Sequence, residues 1–340
     1  MKFSGRAALM VLILTLACSA GVFAGGGQEG GSAQAGKQVL RFGHTLTEQD
    51  AYNVYMRKWA EAVSTATNGD IVIEIYPSSQ LGSEEDVLEQ IRQGANIGWQ
   101  TDFARLGSYV KGLSVVNAPF FVSDLDEALK LQQSAAIKSL NKELADKFGI
   151  AHISFDWIQG QRHVFTNKPA KSPEELKGLR IRTAPAPIWV ESVNSLGCTA
   201  VSLSYGEIYT GIQTKVVDGC ELPYNAANNL KIFEVAKYVI ETGHIFQLNA
   251  MVVSHAWLQK LPQNYQSILI SECDKAGLEA SKALADQTAA SKKNMTDKGI
   301  TVIGRDQLDM QAFIRESAKA YAALGLTDVR AAVYRDIGKN

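Results

Sequence analysis

The chain has 340 residues with 34 basic and 35 acidic side chains, a formal charge of -1 that excludes the basic field a nucleic-acid partner needs. With 46% apolar and 20% charged residues it can bury a large core, and its length suits about two domains.

Lys2 and Arg6 precede an apolar run over residues 7–17 and then small residues, the pattern of an export signal over 1–24. Two endings are open. Val22-Phe23-Ala24 fits a signal peptidase site, whereas Cys18 after Leu16-Ala17 resembles a lipoprotein site that would leave the protein lipid-anchored in the periplasm. Residues 25–38, rich in glycine, read as a flexible linker. A brief strand at 40–43 is followed by a helix over 51–67 with Tyr52, Tyr55, Trp59 and Val63 on one face, then a strand with Ile71, Ile73 and Ile75 inward, then a helix from Ser83 to Gln93. This β-α-β-α order predicts a parallel sheet covered by helices.

Residues 97–105 carry Asp102 and Arg105, which on their own read as a solvated loop pair, and 115–122 suggests a strand entering a proline-broken loop. A single long amphipathic helix is predicted over 124–148. The alternating strand at 151–158 and a second at 162–167 flank Gly160, the first expected crossover between lobes; Arg162 on the second strand reads as a strand-edge arginine. The five histidines show no metal-ligand spacing.

Ser172, Pro173 and Glu175 form a capping box for a short helix that Gly178 ends. Leu179, Ile181 and Thr183 then alternate with Arg180 and Arg182, and Pro185 and Pro187 stop the strand, which leaves Arg182 at its end. Ligand crevices open at strand ends in α/β sheets, so Arg182 is a candidate carboxylate clamp, with a surface arginine as the other reading. A helix at 186–196 buries Trp189, Val193 and Leu196, and a strand at 200–203 leads to a second capping box, Ser204 with Glu207. Two strands, 238–242 and 246–254, flank a second crossover at 242–244. A helix of about 50 Å is predicted from Pro262 to about Met295, longer than one small domain is wide. A strand at 300–303 and a helix at 307–324 close the chain. Cys198, Cys220 and Cys273 read as small buried residues, with a Cys198–Cys220 bridge left open.

The runs Gly206-Glu207-Ile208-Tyr209, Gln213-Thr214 and Val216-Val217-Asp218-Gly219 with Glu221, together with 76–82 (YPSSQLG) and 177–182 (KGLRIR), resemble the periplasmic substrate-binding subunits of TRAP transporters, the DctP-like family, over roughly 40–324. The resemblance implies an α/β, two-lobed periplasmic binding protein of the type II-like kind, each lobe a mostly parallel sheet flanked by helices, with a long helix spanning both. It assigns 39–159 plus 249–288 to one lobe and 160–248 plus 289–340 to the other. It also implies a ligand site of Arg182, Arg162, Tyr205, Asp102, Arg105, Glu221 and Asn225. The family often has an asparagine directly after the glutamate; Leu222 stands there instead, so that carboxamide is missing or replaced by Asn225. No P-loop, GxSxG, HExxH or dinucleotide fingerprint is present, so the expectation is a binding protein without cofactor or metal. The expected protein is a monomer that delivers a small organic acid to two membrane subunits. C4-dicarboxylates are the nominal ligand class, beside sugar, keto and aromatic acids. A secreted enzyme and a sensory module on the same fold are the alternatives.

Overall fold

The computed structural model describes residues 37–339. The export signal, Cys18 and nearly all of the linker lie outside the described residues. Among the described residues ten strands occur in chain order: β1 (Gln38–Gly43), β2 (Ile71–Tyr76), β3 (Ile97–Asp102), β4 (Ile150–Ser154), β5 (Ile158–Thr166), β6 (Arg180–Thr183), β7 (Thr199–Ser202), β8 (Gly219–Pro223), β9 (Tyr238–Ser254) and β10 (Thr301–Ile303). They form one sheet in the order β2-β1-β3-β9-β5-β8-β6-β7, with β4 and β10 also on β9. The two ends of the sheet are parallel, as the β-α-β pattern predicts. Its centre is antiparallel, because β5 carries the chain out of the first half and β9 carries it back.

Four apolar cores line the faces of this sheet, two in each half. Leu40, Phe42 and Trp59 belong to a core that also takes Leu269, Cys273 and Ala280, whereas Met295 enters a different core with Phe165, Ile208 and Leu222. Leu269, Cys273, Ala280 and Met295 all come from one element, the 35-residue helix Gln263–Asp297, whose two ends serve separate cores. At about 1.5 Å per residue it is roughly 52 Å long, and the 17-residue β9 at about 3.3 Å per residue runs a similar roughly 56 Å. β9 pairs with β3 and β4 near its C-terminal end and with β5 and β10 over the rest of its length. Ser281 Oγ fixes the helix to the β4–β5 connection, donating to the Asp156 carbonyl and accepting from the Ile158 amide at 2.7 Å.

The second crossover is not a gap between two strands. β9 runs unbroken through Gly243, whose φ of 52° is left-handed and where a Cβ would lie 2.8 Å from Gln161 Oε1; Gly160 on β5 has φ 87°. Register shifts in the β5–β9 ladder fall on either side of Gly160 and Arg162.

Other expectations need correction. The segment 172–178 forms turns, not a helix, although Ser172 Oγ accepts from the Glu175 amide at 3.4 Å; Leu176, fully buried, anchors it. The helix predicted over 124–148 is broken at Ser134, whose hydroxyl caps a new helix, Ala135–Phe148, and donates to Asp336. Residues Lys111–Asn117 are 3-10 helix rather than strand. Residues 327–340 were expected in the second half, but the helix Thr327–Ile337 packs on Ala135–Phe148 of the first, with Tyr334 hydroxyl donating to the Phe121 carbonyl at 2.8 Å. Cys198, Cys220 and Cys273 are buried and free, so no Cys198–Cys220 bridge forms.

Candidate functional site

A cavity of about 620 Å³ opens where the two halves of the sheet meet. Arg182, Arg162, Tyr205, Asp102 and Arg105 all line it; Glu221 and Asn225 do not.

Arg180 and Arg182 differ sharply in environment. Arg180 is exposed and gives two hydrogen bonds to the Asp218 carboxylate, at 3.0 and 3.1 Å. Arg182 is only 2% exposed. Its Nε and one terminal nitrogen donate to the Leu203 carbonyl at 2.9 and 2.7 Å, which leaves three of the five guanidinium N–H groups without an acceptor among the described residues. Burial lowers its pKa to about 10, so it remains a cation. The two prolines that stop β6 hold it there: Pro185 lines the cavity and Pro187 opens the next helix at its first turn.

Arg162 sits on β5 opposite Pro223 of β8. Glu221, two residues earlier on β8, takes the guanidinium of Arg162 in a two-bond fork, the second bond being 2.7 Å, and its backbone carbonyl accepts a third. Thr183 Oγ1 also donates to Glu221, at 2.8 Å. Burial is the strongest single influence and pushes the Glu221 pKa up, but the charge and hydrogen bonds of Arg162 together with His244 outweigh it and hold the carboxyl at about 2. Gln247 accepts from Arg162, and the Trp189 ring lies 4.6 Å from the guanidinium carbon. Glu221 therefore sets the pose of Arg162 from behind the cavity wall.

Asn225 faces the long helix instead of the cavity. Its amide donates to the Leu284 carbonyl at 2.8 Å, and its oxygen accepts from Ser291 at 2.7 Å. Leu222, not a carboxamide, lines the cavity. Tyr205 is half-buried at the start of a 3-10 turn, and the Ser204/Glu207 capping box that precedes it is present in full.

Asp102 and Arg105 are far from a solvated pair. Asp102 is 4% exposed, caps the short helix Phe103–Leu106, and accepts from Trp189 Nε1 at 3.2 Å. Arg105 bonds Asp102, and its Nε lies 3.3 Å from Glu84 and 3.7 Å from Glu85. Desolvation works against the Arg105 charge, but these three carboxylates together raise its pKa above the usual guanidinium value. Glu84 is itself buried, accepts from Thr101, and is pushed up to about 7 by burial despite Arg105. In the sequence it is one of three acids in a helix's first turn, which helix electrostatics alone would explain. Gln247 and Asn249 were also missed. They are polar residues in the apolar run of β9, and in a strand buried on both faces that contrast is itself a signal.

Among the described residues no cluster of three or more His, Cys, Asp or Glu is placed to hold a metal ion, and no helix is long and apolar enough to cross a membrane.

An α/β sheet in two halves crossed by paired strands and one long helix, with a polar, arginine-bearing cavity at the junction, defines a two-lobed solute-binding protein. Residues 42–327 match the model of "Bacterial extracellular solute-binding protein, family 7", and the chain belongs to that family, which is one of periplasmic binding proteins. It is similar to the 2,3-diketo-L-gulonate-binding periplasmic protein of Escherichia coli K12, with 28% identity over 81% of this chain and 83% of the relative. A TRAP periplasmic solute binding protein from Escherichia fergusonii shares 30% identity and a TM-score of 0.78 over 88% of this chain and 99% of that one. Another, from Actinobacillus succinogenes with bound L-galactonate, shares 28% identity and a TM-score of 0.82 over 88% and 99%.

Proposed function

We propose that the cavity captures a small hydroxylated organic acid, whose carboxylate Arg182 holds, and that the loaded protein delivers it to the membrane subunits of a TRAP-type transporter. One observation carries this reading. Among the described residues Arg182 is a nearly fully buried cation with no carboxylate in hydrogen-bond contact and with the outer edge of its guanidinium unused. A buried charge is costly unless an anion joins it, and a carboxylate at that edge completes the pair through a two-bond fork. The rest of the wall suits hydroxyl groups. Thr45, Thr47, Ser78, Gln100, Thr101 and Gln159 all line the cavity, donors and acceptors that match a polyol better than a hydrocarbon. Arg162, Tyr205, Asp102 and Arg105 line the same space as ligand-contacting side chains, while Glu221 and Asn225 support it.

The relatives point the same way, since one is named for a diketo sugar acid and another holds a sugar acid. In this reading the protein is a monomer without enzymatic turnover, and its lobes, 39–159 with 249–288 and 160–248 with 289–326, close about Gly160 and Gly243. A thermal-shift screen of sugar acids tests it. A ligand at 100 times its dissociation constant stabilises the fold by about 2.7 kcal/mol; no shift with any carboxylate would overturn the assignment.

A further inference from the structure

Every guanidinium in the cavity wall but one has a carboxylate in direct contact. Arg162 is occupied by Glu221, and Arg105 is shared by Asp102, Glu84 and, at the mouth, Glu85. Among the described residues that line the cavity there is no lysine and no histidine. Arg182 is therefore the one cation there without a carboxylate in direct contact, since Glu221 acts on it only through space. The acids, by contrast, are in surplus, and ionised carboxylates only accept hydrogen bonds. A hydroxyl placed beside Glu84 or Asp102 finds an acceptor. A second carboxylate placed there finds two like charges and a guanidinium already committed.

We propose that the Glu84, Asp102 and Arg105 cluster restricts this cleft to ligands bearing a single anionic group, with Glu84 as the residue that rejects a second one. The proposal rests on the reading that Arg182 clamps the first carboxylate. Discrimination arises because a wrong ligand meets repulsion and not merely because the right one is attracted. It also has a pH signature. Glu84 faces Arg105, Thr101, Asp102 and Glu85, and its raised pKa of about 7 means that it gains charge as pH rises through neutrality, whereas ligand carboxylates are already ionised. Rejection of diacids should therefore strengthen from pH 6 to pH 8.

Calorimetry on the exported protein with matched pairs, galactonate with galactarate and gluconate with glucarate, tests this. Each pair differs only in whether the far end is an alcohol or a carboxylate. At pH 8 the diacid should bind at least about tenfold more weakly than its monoacid, and the gap should narrow at pH 6. Glu84→Gln, which keeps the shape and removes the charge, should narrow it at pH 8; the pH series on unmodified protein serves if that variant melts early. A diacid that binds as tightly as its monoacid, or a gap indifferent to both pH and Glu84→Gln, overturns the proposal while the Arg182 clamp stands. If no acid of either kind binds, the clamp itself fails and the proposal falls with it.

Discussion

Truncation of Arg182 is the most direct perturbation of the site. The three N–H groups left after its bonds to Leu203 include one on each terminal nitrogen, the geometry of an end-on fork to a carboxylate. Charge-assisted hydrogen bonds contribute about 1.5 to 3 kcal/mol each, so losing two costs roughly 3 to 6 kcal/mol, a hundredfold or more in affinity at about 1.4 kcal/mol per decade. Arg182→Lys keeps the charge but not the fork or the Leu203 contacts, and should lose at least about tenfold. The apo protein should barely register the alanine change, because relief from burying a lone cation offsets the lost carbonyl bonds. Arg180→Ala is the control, as that side chain is exposed and turned to Asp218. Calorimetry and melting curves on the three variants decide the matter. Binding by Arg182→Ala within about threefold of wild type, in a folded protein, would refute the clamp.

The long helix should be structural with or without ligand: Ala280→Pro, at a fully buried position in its middle, should cost about 3 kcal/mol or more, read as an early melt. If the proposed closure turns on the two left-handed glycines, small-angle scattering should show a smaller radius of gyration on saturation with ligand; an unchanged radius would argue for a rigid cleft. Acid should destabilise the fold through its buried histidines. Burial lowers His44 and His152 to about 4 and His163 to about 3 from 6.5, so the unfolded chain binds more protons below pH 6.5 and stability should fall from there towards pH 3. Denaturant titrations across that range check the slope, and a flat profile would contradict it.

The sequence by itself determined the elements whose signal is local. Apolar periodicity placed the helices Ala51–Ala66 and Gln263–Asp297, proline placed the end of β6 and so Arg182, and glycine marked both crossings. These depend on neighbours within a turn or a strand. What it left open was set by residues far apart in the chain. The break at Ser134 is fixed by Asp336, 202 residues later, and the position of the last helix by Phe121. The roles of Glu221 and Asn225 turned on which side of the wall each faces, and that is decided by Arg162 on β5 and by Leu284 and Ser291 on the long helix. Glu84 gives the clearest case. In the sequence it is one acid among three at a helix start, and only folding against Thr101, Asp102 and Arg105 removes it from water and makes it part of the site. Desolvation and pairing are properties of the packed environment, so residue type and spacing placed Arg182 at the end of its strand, while the tertiary structure alone decided which charges around it were already paired.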